Sequence, residues 1–152
     1  MNINLKLVGS NCNMRCTYCY EHDMPTWAEK RLVPAEVSAF IRTVPTHEEL
    51  RFLLHGGEPL LYPKQEMARL LDVIATEGGD RAKIFIQTNG TLIDDDWIDL
   101  FRRHDPEFVF SLSIDSLQQD GLRRLGRANL GNLLTKKLEL LRSRGATVGV
   151  VS

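Results

Sequence analysis

The chain has no fourth cysteine. Its 152 residues hold three, Cys12, Cys16 and Cys19. An odd number so close together makes a poor disulfide framework, and such a cluster in a chain without secretion features more often binds metal. No apolar run approaches the ~20 residues needed to span a bilayer. The N-terminus, MNINLKLVGS, lacks the basic region and apolar stretch of a secretion signal. The expected location is therefore cytoplasmic. Nor is there an excess of one charge. Nineteen basic and twenty acidic residues leave a net charge of -1. That removes a general electrostatic reason to bind nucleic acid or an anionic membrane, and neither is expected as a partner. Linkers, low-complexity tracts and repeats beyond a βα alternation are also missing. The length suits one domain over residues 1–152, large enough to bury a core without disulfides.

What is present is alternation. Ile3 to Val8, Leu50 to Leu54, Lys83 to Thr88, Phe108 to Ile114 and Thr147 to Val151 read as strands. Four helical patterns lie between them. Pro34 to Val44 places Val37, Phe40, Ile41 and Val44 on one face. Glu66 to Thr76 does the same with Met67, Leu70, Leu71 and Ile74. Asp94 to Arg103 carries acids in its first turn and arginines in its last, matching the helix dipole. Leu130 to Arg144 has a stripe of Leu130, Leu133, Leu134, Leu138 and Leu141, followed by Gly145 at a C-cap position. A strand followed by four αβ units predicts an α/β fold with a parallel sheet. The strands read as apolar on both faces, which predicts cover on both sides. Periodicity leaves open whether the sheet is doubly wound or an arc of a (β/α) barrel. Val148, Val150 and Val151 read as the middle of a buried strand just before Ser152. The expectation is a domain incomplete at its C-terminus.

The loop after the first strand reads Cys12-Asn-Met-Arg-Cys16-Thr-Tyr-Cys19. Three thiolates on a four-iron cube leave one iron free to bind a small molecule, as catalytic zinc sites also keep one position open. His22 keeps a Cys3His zinc site open as an alternative. Arg15 reads equally well as a solvated loop charge.

The C-x3-C-x2-C spacing, with an aromatic residue before its last cysteine, resembles the radical S-adenosylmethionine (SAM) superfamily. The resemblance implies that Cys12, Cys16 and Cys19 hold a 4Fe–4S cluster whose open iron chelates SAM. One electron then cleaves SAM to methionine and a 5′-deoxyadenosyl radical, which takes a hydrogen from substrate. It also implies the N-terminal part of a partial (β/α)6 TIM-like barrel, with about five parallel strands and four to five crossover helices.

Further matches fall at successive strand ends, where barrel folds build their sites. His55-Gly56-Gly57-Glu58-Pro59 is similar to the family's GGEP segment, though it also reads as a turn. Thr88-Asn89-Gly90 is similar to its TNG, though Asn-Gly is a common turn. Ser113 and Asp115, two apart on one strand face, match its SxD, with Ser116 where relatives carry glycine. A helix N-cap is the competing reading for Asp115 or Ser116. The resemblance thus places Tyr18, Gly56, Gly57, Glu58, Asn89, Ser113 and Asp115 around SAM, with Tyr18 near the adenine. One of Arg123, Arg124 and Arg127 would pair with its carboxylate through a bidentate fork. His55 receives no assignment. Gly126 to Gly131 has the glycine spacing of a phosphate loop, but Asn132 and Leu133 follow instead of Lys and Ser/Thr. The cysteine and GGEP sequences are most similar to the branch that modifies peptides or proteins. That implies a peptide or protein substrate and a low-potential electron donor of the flavodoxin or ferredoxin type. The competing class is a non-catalytic or partner-dependent metal-binding module.

Overall fold

The computed structural model describes residues 1–23, 31–115, 117, 122–126 and 129–151. Its strands are β1 (Asn2–Lys6), β2 (Leu50–His55), β3 (Ala82–Thr88), β4 (Val109–Ser113) and β5 (Thr147–Val151). Its α-helices are α1 (Pro34–Thr43), α2 (Lys64–Gly78), α3 (Asp95–His104) and α4 (Leu130–Ser143). All neighbouring strands are parallel, in the order β1-β2-β3-β4-β5. A doubly wound sheet reverses its order at a switch point; here the order never reverses. Successive right-handed crossovers in one direction put every helix on the same side. The choice that periodicity left open is thereby settled in favour of a barrel arc.

That geometry also corrects an expectation. Strands β1 to β4 are covered on one face only. Leu5, Phe52, Leu54, Ile86, Phe110 and Leu112 are buried on the helix side. The alternate positions carry Asn2, Asn4 and Lys6 in β1, Arg51 and His55 in β2, Lys83 and Gln87 in β3, and Ser111 and Ser113 in β4. On this second face Phe85 and Val109 are 43% and 38% exposed. It is the interior of an arc, which is why it is polar and open at the strand ends.

Local signals explain the helix ends. The Asp94 carboxylate accepts from Trp97 N at 2.9 Å and starts α3. Asn129 caps α4 by accepting from Asn132 N at 3.0 Å. At the far end of α4, Gly145 sits at φ +61°. Gly145 N donates to Arg142 O and Ala146 N to Leu141 O, the paired bonds of a Schellman turn. The core lies between helices and sheet. Phe101 of α3 stacks on Phe108 with centroids 4.5 Å apart and meets Phe110 edge-on at 5.6 Å. Phe40 of α1, grouped by spacing with Val37 and Ile41, is instead 36% exposed. Among the described residues no helix is long and apolar enough to cross a membrane.

Candidate functional site

The expected first strand ran to Val8, but β1 stops at Lys6. Leu7 and Val8 are buried beneath the sheet end, and Gly9 takes φ +60°. Asn11 N then donates to Val8 O at 3.1 Å, turning the chain into the cysteine loop. Met14, 2% exposed, anchors that loop in the core. A lone apolar residue in a polar loop was the sequence signal for this anchor, and the reading missed it. Cys12, Cys16 and Cys19 are half-buried free thiols. Burial pushes the Cys12 and Cys16 thiols above their usual range. Cys12 Sγ faces two N–H donors, Met14 N at 3.4 Å and Asn89 Nδ2 at 3.9 Å.

The end of β2 explains the paired glycines. Gly56 sits at φ +83°, where a Cβ would stand 2.8 Å from Lys6 Cγ. Gly57 sits at φ +50°, where a Cβ would stand 2.0 Å from Asn11 O. The two strand-end loops therefore touch through backbone, and Glu58 N also donates to Asn11 O at 2.9 Å. Gly57→Ala combines a left-handed penalty of about 1–2 kcal/mol with a backbone clash. It is expected to lower the thermal midpoint and reduce iron uptake, read by scanning calorimetry and iron assay.

Glu58 is 1% exposed. Its carboxylate accepts from Thr88 Oγ1 at 2.6 Å, Asn89 N at 2.8 Å and Leu60 N at 3.0 Å. Burial pushes its pKa up, while these donors pull it down. The residue thus ties the end of β3 to that of β2. Asn89 Nδ2 donates to Asn13 Oδ1 at 2.8 Å, and its Oδ1 accepts from Thr91 Oγ1 at 2.7 Å. Asn13 Nδ2 closes the ring on Thr91 Oγ1 at 2.9 Å.

At the end of β4, Gln87 Nε2 donates to Ser113 Oγ at 3.3 Å. Asp115 accepts from the Tyr18 hydroxyl and from Arg123 Nε, the latter at 2.7 Å. Arg123 also lies over the Tyr18 ring, 5.5 Å from its centroid. The Arg123 guanidinium, with help from Tyr18, holds the Asp115 carboxyl below its usual 3.8. A depressed carboxyl contributes stability that is present above the unfolded pKa and lost as pH falls through the folded one. Acidification below about pH 4 is therefore expected to weaken this closure. Asp115→Asn should remove that part of the pH dependence, seen in thermal midpoints across an acid series.

These elements enclose a cleft of about 160 Å³. The three cysteines line it, with Tyr18, Gly57, Asn89 and Ser113 from the sequence expectation. Gly56, Glu58 and Asp115 do not line it; they hold residues that do. Of the three arginines, Arg123 lines it and Arg124 does not, while Arg127 and Ser116 fall outside the described residues. The sequence reading missed Gln87, Tyr20 and His55 as lining residues. Tyr20 Oη lies 3.1 Å from His55 Nε2, and burial lowers the His55 pKa, favouring a neutral ring. Beside them Lys6 Nζ pairs with the buried Glu21 at 2.7 Å.

The donor set suits an iron–sulfur cluster. Three thiols face one cleft, and two N–H groups stand near one sulfur, an arrangement that stabilises thiolate charge. The side chain of His22, the fourth zinc candidate, lies outside the described atoms.

The family model described as Radical SAM superfamily matches residues 7–152. The chain belongs to the radical SAM superfamily. It is 36% identical over 121 residues to a serine-type anaerobic sulfatase-maturating enzyme of Klebsiella aerogenes, covering 75% of this chain and 29% of that protein. It is 33% identical over 135 residues to a GTP 3′,8-cyclase of Chlorobaculum tepidum, covering 88% and 39%. Its fold matches a solved structure of native anSMEcpe with bound AdoMet and a Cp18Cys peptide, at TM-score 0.77 and 24% identity. That match covers 98% of this chain and 42% of the other. This radical SAM chain thus spans about a third of the length of the two curated relatives.

Proposed function

We propose that this chain binds a 4Fe–4S cluster through Cys12, Cys16 and Cys19, binds SAM beside it, and starts radical chemistry on a peptide or protein. The observation that carries the reading is the cleft itself. Three cysteines without a fourth line it together with Gly57, Asn89 and Ser113 at the C-terminal ends of β2, β3 and β4. When bound, the cluster supplies one electron that cleaves SAM. The chain's own residues fix the surroundings. Gly57 lets backbone approach backbone, Asn89 orders the Cys12 side of the loop, and Arg123 supplies a cation for SAM's carboxylate. Asp115 holds Arg123 and Tyr18 together at the opposite wall. A reducing cytoplasm keeps such thiols available for iron, and the electron comes from a low-potential carrier.

Peptide modification rests on the sulfatase-maturating relative and on the peptide in the anSMEcpe structure. A nucleotide is the second reading, favoured by the GTP 3′,8-cyclase relative. The test is anaerobic reconstitution followed by SAM and dithionite. 5′-Deoxyadenosine is the expected product. Deuterium transfer into it from a labelled peptide supports a peptide substrate, and transfer from labelled GTP supports a nucleotide. An intact cluster that leaves SAM uncleaved would favour a non-catalytic module.

A further inference from the structure

Asn89 follows β3 directly and is 8% exposed. A buried amide needs partners for its donors and acceptors. Thr91 N donates to Asn89 Oδ1 at 3.0 Å, and Thr91 Oγ1 donates to it at 2.7 Å. A backbone N–H can only donate, so these bonds fix which end of the amide is oxygen. The other end is the NH2 group. One of its hydrogens goes to Asn13 Oδ1 at 2.8 Å. The second is left for Cys12 Sγ, 3.9 Å away. Met14 N, at 3.4 Å, is the other donor on that sulfur. Asn13 Nδ2 returns to Thr91 Oγ1 at 2.9 Å, and Glu58 holds Asn89 N at 2.8 Å. The amide cannot turn without breaking this ring. Both acceptor sites of its oxygen and both hydrogens of its nitrogen are taken within the protein, so nothing remains on it for a ligand.

We propose that Asn89, expected from the sequence beside SAM, is instead a positioning residue that acts through Cys12 and raises the reduction potential of the cluster. The proposal rests on the cluster reading above. Reduction takes the cluster from the 2+ to the 1+ state. One electron enters from the reductant, no bond is made or broken, and no proton moves. The added charge spreads onto the sulfurs. An N–H dipole aimed at a sulfur therefore stabilises the reduced state more than the oxidised one. Burial strengthens the effect, because the local dielectric is low. The Thr91 and Asn13 bonds serve to hold the N–H in that direction.

The test is a redox titration of the reconstituted protein with dithionite and mediators, without SAM, followed by electron paramagnetic resonance. Asn89→Asp puts a carboxylate where the donor stood. Its equilibrium constant for reduction is expected to fall about tenfold or more, which is about 59 mV for one electron. Asn89→Ala removes the donor without adding charge, and its constant is expected to fall about threefold. It also decides the matter if Asn89→Asp fails to fold. Thr91→Val loosens the ring but leaves both N–H groups on the sulfur, so its constant should stay within about twofold of wild type. The SAM affinity of oxidised Asn89→Ala, read by calorimetry, should likewise stay within about twofold. Unshifted potentials in both Asn89 variants would overturn the proposal and leave the cluster reading intact. A shift in Thr91→Val as large as in Asn89→Ala would also overturn it, because the ring and not the donor would then set the potential. So would loss of the cluster from both Asn89 variants, since the role would then be structural. A tenfold loss of SAM affinity in Asn89→Ala would overturn it by making the residue a SAM contact. A wild type that takes up no iron would overturn the cluster reading, and this proposal with it.

Discussion

Cys16→Ala, reconstituted anaerobically with iron and sulfide, is expected to fall from about four irons per chain to less than one. The three thiols line one cleft. Removing one thiolate leaves two irons without a protein ligand, and the cube is then lost to solvent. Cys16 is the middle thiol of the three in the loop and lines the cleft. Its neighbours Arg15 and Thr17 are held by backbone bonds that a side-chain truncation leaves in place. The loop should therefore keep its path while losing the metal. Circular dichroism of the metal-free variant should match the metal-free wild type. Full iron content in Cys16→Ala would contradict the ligand assignment.

The second large effect concerns stability. Glu58 is buried and accepts three hydrogen bonds, from Thr88, Asn89 and Leu60. Glu58→Gln keeps the shape but puts an NH2 group where the carboxylate accepted. At least one buried donor then faces another donor, at a cost of about 1–3 kcal/mol, added to the loss of a charge-assisted bond worth about 1.5–3 kcal/mol. Glu58→Ala leaves all three donors unpaired and is expected to be worse. Urea titration of the metal-free proteins should show the midpoint falling in the order wild type, Glu58→Gln, Glu58→Ala. Because Glu58 also receives Asn89 N, and Asn89 reaches towards Cys12 Sγ, both variants should lose iron affinity too. A Glu58→Gln protein as stable as wild type would remove Glu58 from its place as the tie between the ends of β2 and β3.

Much of the fold was legible because its signals are local. Met67, Leu70, Leu71 and Ile74 repeat at helical spacing, and all are buried in α2. The first-turn acids and last-turn cations of α3, and Gly145 after α4, marked ends that the structure places within a residue or two. Periodicity alone did not give the strand order, because it says which face is apolar and nothing about which strand lies beside which; the motif resemblance implied the barrel order that the sheet has. The open inner face went unread for a related reason. Its polar members, such as Lys6, His55 and Gln87, come from different strands and form a surface only when the register aligns them, as Lys6 with His55. In the site, the cysteines and glycines carry fixed spacing and special backbone needs, so they stood out. Gln87 and Tyr20 have no such mark. Nor could spacing choose between Arg123 and Arg124: the backbone bonds of residues 15–17 turn one towards the cleft and the other outward.

The central claim is that the missing fourth cysteine leaves an iron for SAM. Electron paramagnetic resonance of the dithionite-reduced protein, recorded with and without SAM, tests it most directly. The account predicts iron and sulfide near four per chain and a reduced-cluster signal whose g-values shift when SAM is added. A signal unchanged by SAM, or one zinc per chain with no iron, would contradict it.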